Sequence, residues 1–265
     1  MKSIFAITFV LSALASLAVD AKECEHRVIF LPQTHAADEW TGAQTTTEQD
    51  NQIAASQLKI ANYIERFPNV PVFSEQAAAQ DFSIDMVPQD KRVALIQRYE
   101  QQIFPRGLPE NAESLNAVQK QKLIDNGGEF VQVIRGRTRV LHRVVEDEKT
   151  LDEIFDPIKR WLNTKPPTSV AYPREIGRLV YGSRERAALS QVQKYFAANN
   201  SQRDVILIYG SNHSFNFYPG EFPPECVIIP TEFRTDWGGR FRSGPEGFPA
   251  PSSRTEYSKP ANAVH

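Results

Sequence analysis

Short unbroken apolar runs alternate along the chain with longer segments of helical periodicity. Val205 to Tyr209 is the clearest such run. It is too short for an isolated helix and rich in β-branched residues, which predicts a buried strand. It ends at Gly210, where the chain can turn sharply, and His213 follows. Arg27 to Pro32 repeats the pattern, with Pro32 expected to close the strand and His35 beyond it. From Thr47 to Phe67, Ile53, Gln57, Ile60, Ala61 and Ile64 recur at spacings that build one face of a helix. Val70 to Glu75 then reads as a second strand. Strand, helix and strand make a βαβ unit, so the first two strands are expected to be parallel, with their carboxyl ends on one edge.

Residues 76–128 are predicted to be mainly helical, interrupted at Pro88, Pro105-Arg106-Gly107, Pro109 and Gly127-Gly128. Val93 to Ile103 and Ser114 to Ile124 are the best-marked helices there. Phe130 to Ile134 and Arg139 to Val145 read as two strands joined by a turn, or as one interrupted strand. Leu151 to Leu162 and Ser183 to Ala198 have helical character. Ser169 to Tyr172 and Cys226 to Ile229 are short strands, ended by Pro173 and Pro230. These elements predict an α/β fold: a mainly parallel central sheet flanked by helices, forming one domain over residues 22–235 with a helical insertion at 76–128. From about Asp236 the composition shifts to Gly, Pro, Ser and Arg, so 236–265 is expected to be an irregular, disordered tail.

Composition narrows the function. The net charge of −2, with no basic cluster interleaved with aromatics, argues against a nucleic-acid partner. Lys2, the mostly apolar run Ile4 to Val19 and the small-residue site Val19-Asp20-Ala21 match a secretory signal peptide over residues 1–21, with a membrane anchor as the alternative. A secreted or periplasmic protein without stable membrane insertion is therefore expected. In that setting Cys24 and Cys226, the two cysteines, suggest one disulfide joining the first strand to the last; two separate buried thiols are the alternative.

His35, Glu75 and His213 stand at the carboxyl ends of three predicted parallel strands, the edge where open α/β sheets place their sites. Two imidazoles and a carboxylate suit a divalent metal such as Mn, Co or Zn. Without metal, Glu75 can orient a histidine that acts as general base near neutral pH. Arg184, Glu185 and Arg186 open the helix before the Val205 strand, where a guanidinium can hold a carboxylate or an oxyanion. His142, His26 and His265 fall within a strand, before the first strand and in the tail, and are weaker candidates.

The ordered set Ile29 to His35, Val72 to Glu75 and Ile208 to His213 resembles the EreA/ChaN-like, TraB/Tiki superfamily. That group is marked by a strand with Gly-x-x-His, a strand ending in Glu, and a late strand with a second Gly-x-x-His. Gly210-Ser211-Asn212-His213 matches the late motif, and Arg186 is similar to the arginine on the preceding helix. Pro32 replaces the first motif's usual glycine, and Gln33 stands where the esterase and haem-binding branches often carry glutamate. The resemblance implies a divergent hydrolase of ester or peptide bonds, acting on a small-molecule or peptide substrate. His35, Glu75 and His213 would then be catalytic or metal-binding, and Arg186 would hold substrate. The alternatives it leaves are a haem or iron carrier and a secreted interaction factor on the same fold.

Overall fold

The computed structural model describes residues 24–34, 46–75, 81–143, 156–157, 160, 182–211, 213, 215 and 226–234. The expected leader, the tail, the Ser169 to Tyr172 strand and His35 lie outside the described residues.

The protein is α/β, with a six-stranded sheet in the order β3-β4-β2-β5-β1-β6. The strands are β1 (Arg27–Gln33), β2 (Val72–Ser74), β3 (Phe82–Ser83), β4 (Val140–Arg143), β5 (Asp204–Gly210) and β6 (Val227–Ile228). All pairings are parallel except β3 with β4. The first two strands are thus parallel, as the βαβ reading requires, but β5 lies between them. β5 is buried along its whole length, which explains its unbroken apolar sequence.

β1 runs through Pro32 to Gln33, one residue past the expected stop. The parallel ladder explains why proline is tolerated. Arg27 N donates to Arg203 O at 2.7 Å and Ser211 N donates to Gln33 O at 2.8 Å, so the odd-numbered residues of β1 bond toward β5. Pro32 therefore faces the β6 side. β6 pairs only with Val28 and Ile29, so the missing N–H falls beyond its end. At the other end of β1, the Arg27 guanidinium grips the fully buried Asp204 carboxylate with bonds of 2.6 and 3.0 Å, fixing the β1–β5 register.

Among the described residues there are four α-helices: α1 (Thr47–Arg66), α2 (Gln89–Gln97), α3 (Ala117–Ile134) and α4 (Arg184–Ala198). α1 starts with a capping box, in which Thr46 and Gln49 each satisfy the other's backbone N–H. α3 repeats the device with Asn116 and Gln119. The region read as a helical insertion carries α2, a π-helical segment (Arg98–Ile103) and most of α3, and also the edge strand β3.

Phe130 to Ile134 is helical, which corrects the strand reading. Its β-branched residues Val131, Val133 and Ile134 are buried, so burial rather than local propensity selects the conformation. Gly127-Gly128 kinks α3 without ending it. Gly127 takes φ +78°, and a Cβ at Gly128 would stand 2.0 Å from the Gln57 carbonyl oxygen of α1. The glycine lets the two helices approach backbone to backbone. Gln57 Oε1 accepts from Gly128 N at 2.9 Å, and Gln132 Nε2 donates to Ala61 O at 2.6 Å, which ties the crossing together.

Cys24 and Cys226 form a disulfide with a Cα–Cα distance of 5.7 Å. It staples the start of β1 to the short outer strand β6, which has only two paired residues to hold it. Replacing both cysteines by serine should lower unfolding stability by about 2–5 kcal/mol, read from urea midpoints under oxidising conditions. An unchanged midpoint would show that the bridge does not constrain the unfolded chain.

Candidate active site at the carboxyl edge of the sheet

Glu75 follows β2 directly and its side chain is almost fully buried. Its Oε2 accepts from Gly210 N at 2.8 Å and its Oε1 accepts from Arg184 Nη2 at 2.5 Å. One carboxylate thus connects the ends of β2 and β5 with the first turn of α4. The Arg184 guanidinium also lies over the Tyr209 ring, 5.4 Å from its centroid.

His213 lies just past β5 and is 4 % exposed. Its N–H bonds to Gly210 O at 2.9 Å, so a tight turn brings the imidazole back over the strand end. The imidazole Nδ1 lies 3.2 Å from Glu185 Oε1, and Glu185 Oε2 accepts from Phe215 N at 3.1 Å. An ionised carboxylate only accepts, so this contact assigns the proton to Nδ1 and places the ring lone pair at Nε2. Tyr209 packs edge-on against the imidazole at 4.5 Å.

Adjacent positions on a helix point about 100° apart, so three consecutive side chains cannot all face one site. Arg184 reaches Glu75, Glu185 reaches His213, and Arg186 is exposed. The arginine that meets the site carboxylate is therefore Arg184, one of the three considered at this helix start. Glu75 and His213 stand at the same strand edge, as expected. His35 lies outside the described residues. His142 sits at the sheet's other flank, bonded to Asp81 at 3.0 Å and stacked on Phe73. Met86, one of two methionines, is 57 % exposed and offers no enclosed ligand for haem iron.

Among the described residues no group of three or more His, Cys, Asp or Glu side chains is placed to hold a metal ion. The donor chemistry points the same way. Glu75 already accepts from a guanidinium and an amide, and a divalent cation at that carboxylate would face the charge of Arg184.

Strand alternation separates the edge into two faces. Glu75 meets α4, whereas Ser74 points to α3 and donates its hydroxyl to Glu129 Oε1 at 2.7 Å. Glu129 is 1 % exposed, and burial pushes its carboxyl above the ordinary value of 4.5. Gly127 makes room for it: a Cβ there would stand 2.8 Å from Glu129 Oε2. On the same face Gln33, at the end of β1, accepts from Gln57 Nε2 at 3.1 Å. Glu129 and Gln33 were not among the sequence candidates. A lone acid between Gly127-Gly128 and an apolar run was the available signal for Glu129.

Comparisons with protein-family models, curated proteins and solved structures gave no match. The chemistry of the edge therefore has to be read from its own residues.

Between 4.5 and its raised folded value, Glu129 keeps its proton in the folded protein and loses it in the unfolded chain. Stability linked to this group is complete below that window and falls as pH rises through it. Glu129→Gln, which keeps the shape and an acceptor for Ser74, should gain stability relative to the parent as pH rises from 4 to 8. Urea midpoints across that range test it; a constant difference between the two proteins would reject the buried acid as the cause.

Proposed function

We propose that the protein is a hydrolase of ester or peptide bonds in which His213, oriented by Glu185, serves as the general base. The observation that carries this reading is the Glu185–His213 contact, at the strand edge where Glu75 also holds Arg184. Glu185 fixes the tautomer and stabilises the imidazolium that forms when Nε2 takes a proton from water. The low exposure of the pair lowers the local dielectric and strengthens that stabilisation. Arg184 supplies positive charge for the oxyanion that follows attack on a carbonyl, and Glu75 holds the guanidinium in place. The order of the three motifs, which resembles the EreA/ChaN-like, TraB/Tiki superfamily, supports the same class of chemistry. Export is part of this reading; the disulfide and the absence of a membrane-spanning helix among the described residues are compatible with it.

The metal-free version is favoured by the Arg184–Glu75 pair. Purified protein should hydrolyse a member of a panel of nitrophenyl esters and fluorogenic peptides, and EDTA should leave the rate unchanged. His213→Ala should lower kcat by about 10²–10⁴-fold, and Glu185→Gln by a smaller factor, with both variants folded. Arg184→Ala should lower kcat/KM. Loss of activity with EDTA and its return with Mn, Co or Zn would overturn the metal-free version. Full activity in His213→Ala would overturn the assignment of the base, and a Soret band with no hydrolysis would favour the haem-carrier alternative.

A further inference from the structure

The face of the carboxyl edge opposite Glu75 holds a second polar group that the hydrolytic reading leaves unused. Gln33, Ser74 and Gly210 come from β1, β2 and β5, and the pairing sets their order. Ser74 pairs with Ile208, and Gln33 pairs with Gly210. Partners in a parallel ladder point to the same face. Gly210 therefore belongs to the α1/α3 face, beside Gln33 and one step beyond Ser74. Where Ile208 fills the space between its neighbours, Gly210 contributes no side chain. The missing side chain at Gly210 leaves space beside Gln33 and one step beyond Ser74, the residues that bond Gln57 and Glu129.

These groups form one connected chain of bonds. Ser74 donates to Glu129, the next residue back, Gly128, donates its N–H to Gln57, and Gln57 donates to Gln33. Two buried atoms of that chain have no hydrogen-bond partner, Gln33 Nε2 and Glu129 Oε2, the latter lying beside Gly127. Both residues are 1 % exposed. Leaving such atoms unmatched costs stability, and native interiors pair almost all of them. Two elements far apart in sequence supplying such atoms on one face point to a ligand rather than to a packing fault.

We propose that Gln33, Ser74 and Glu129 form a recognition notch at Gly210 for a small uncharged group carrying a carbonyl or hydroxyl oxygen. Gln33 Nε2 is a donor only. Burial favours the protonated form of Glu129, and in that form it presents an O–H, so both orphaned atoms then suit an acceptor oxygen. No cation borders the notch among the residues named, so a carboxylate would be desolvated there without compensation and is disfavoured. The proposal stands apart from the hydrolytic reading, since neither Gln33 nor Glu129 takes part in the proton transfer at His213. The two faces still share one peptide: the Gly210 N–H serves Glu75, while the missing Cβ opens the notch.

Acetamide is the probe, with acetate as its charged isostere. Side-chain amide resonances of Gln33 and Gln57 should shift on titration of the whole protein with acetamide at pH 7, and acetate should shift them much less. Gln33→Leu and Glu129→Leu should each weaken acetamide binding by about tenfold, the loss expected for one hydrogen bond. Glu129→Gln, which keeps a donor, should retain binding and guards against misreading an unfolded leucine variant. No acetamide-dependent shift in the folded protein, or equal response to acetate, would overturn the proposal. So would water cross-peaks at the Gln33 amide that persist at saturating acetamide, because they would mean a trapped water only.

Discussion

A single buried carboxylate holds the carboxyl edge of the sheet together. Glu75 accepts from the Gly210 amide of β5 and from the Arg184 guanidinium of α4, and it follows β2 directly. Nothing in chain proximity brings these three pieces together. A buried carboxylate needs partners to offset its lost hydration, and here those partners are the end of one strand and the start of one helix. That requirement sets where α4 begins relative to the sheet. The first turn of α4 then delivers Glu185 to His213. The geometry of the imidazole is in this sense a consequence of how Glu75 is satisfied.

The same edge divides its chemistry by strand alternation. On the α4 side lie two hydrogen-bonded pairs, Glu75 with Arg184 and Glu185 with His213. On the α1/α3 side lie neutral amides, a hydroxyl and a carboxyl whose hold on its proton burial strengthens. The helix kink at Gly127 and Gly128 makes the neutral side possible. It brings α3 close to α1 and gives the Glu129 carboxyl the space a side chain at 127 would fill.

Much of the fold was legible in residue order. β1, α1, β2, α4, β5 and β6 were each marked by an apolar run or a helical period, and the disulfide by two cysteines beside the outer strands. The Phe130 to Ile134 segment was misread because its β-branched residues carry a strand signal. Its helical state depends on packing against α1, which local sequence does not encode. Pro32 misled for a related reason, since a missing N–H matters only where a neighbour needs it. At the site, Glu75 and His213 were visible as polar residues ending apolar strands. Which of Arg184, Glu185 and Arg186 would reach them was not, because that depends on the rotation of α4 about its axis. Gln33 and Glu129 gain meaning only once three strands and two helices share a face.

The Cys24–Cys226 bridge also changes how the molecule responds to force. The crosslink spans a separation of 202 residues and encloses β1 to β5 and the four helices, while β6 follows Cys226 and lies outside the loop. Tension applied on the chain before Cys24 and after β6 passes through β6 and the sulfur–sulfur bond, and leaves the five enclosed strands unloaded. Parallel strands β1 and β5 would otherwise be sheared apart by such a pull. Mechanically, the oxidised protein is a closed ring with two handles, and the five strands inside the ring can be stretched only after the bridge is reduced.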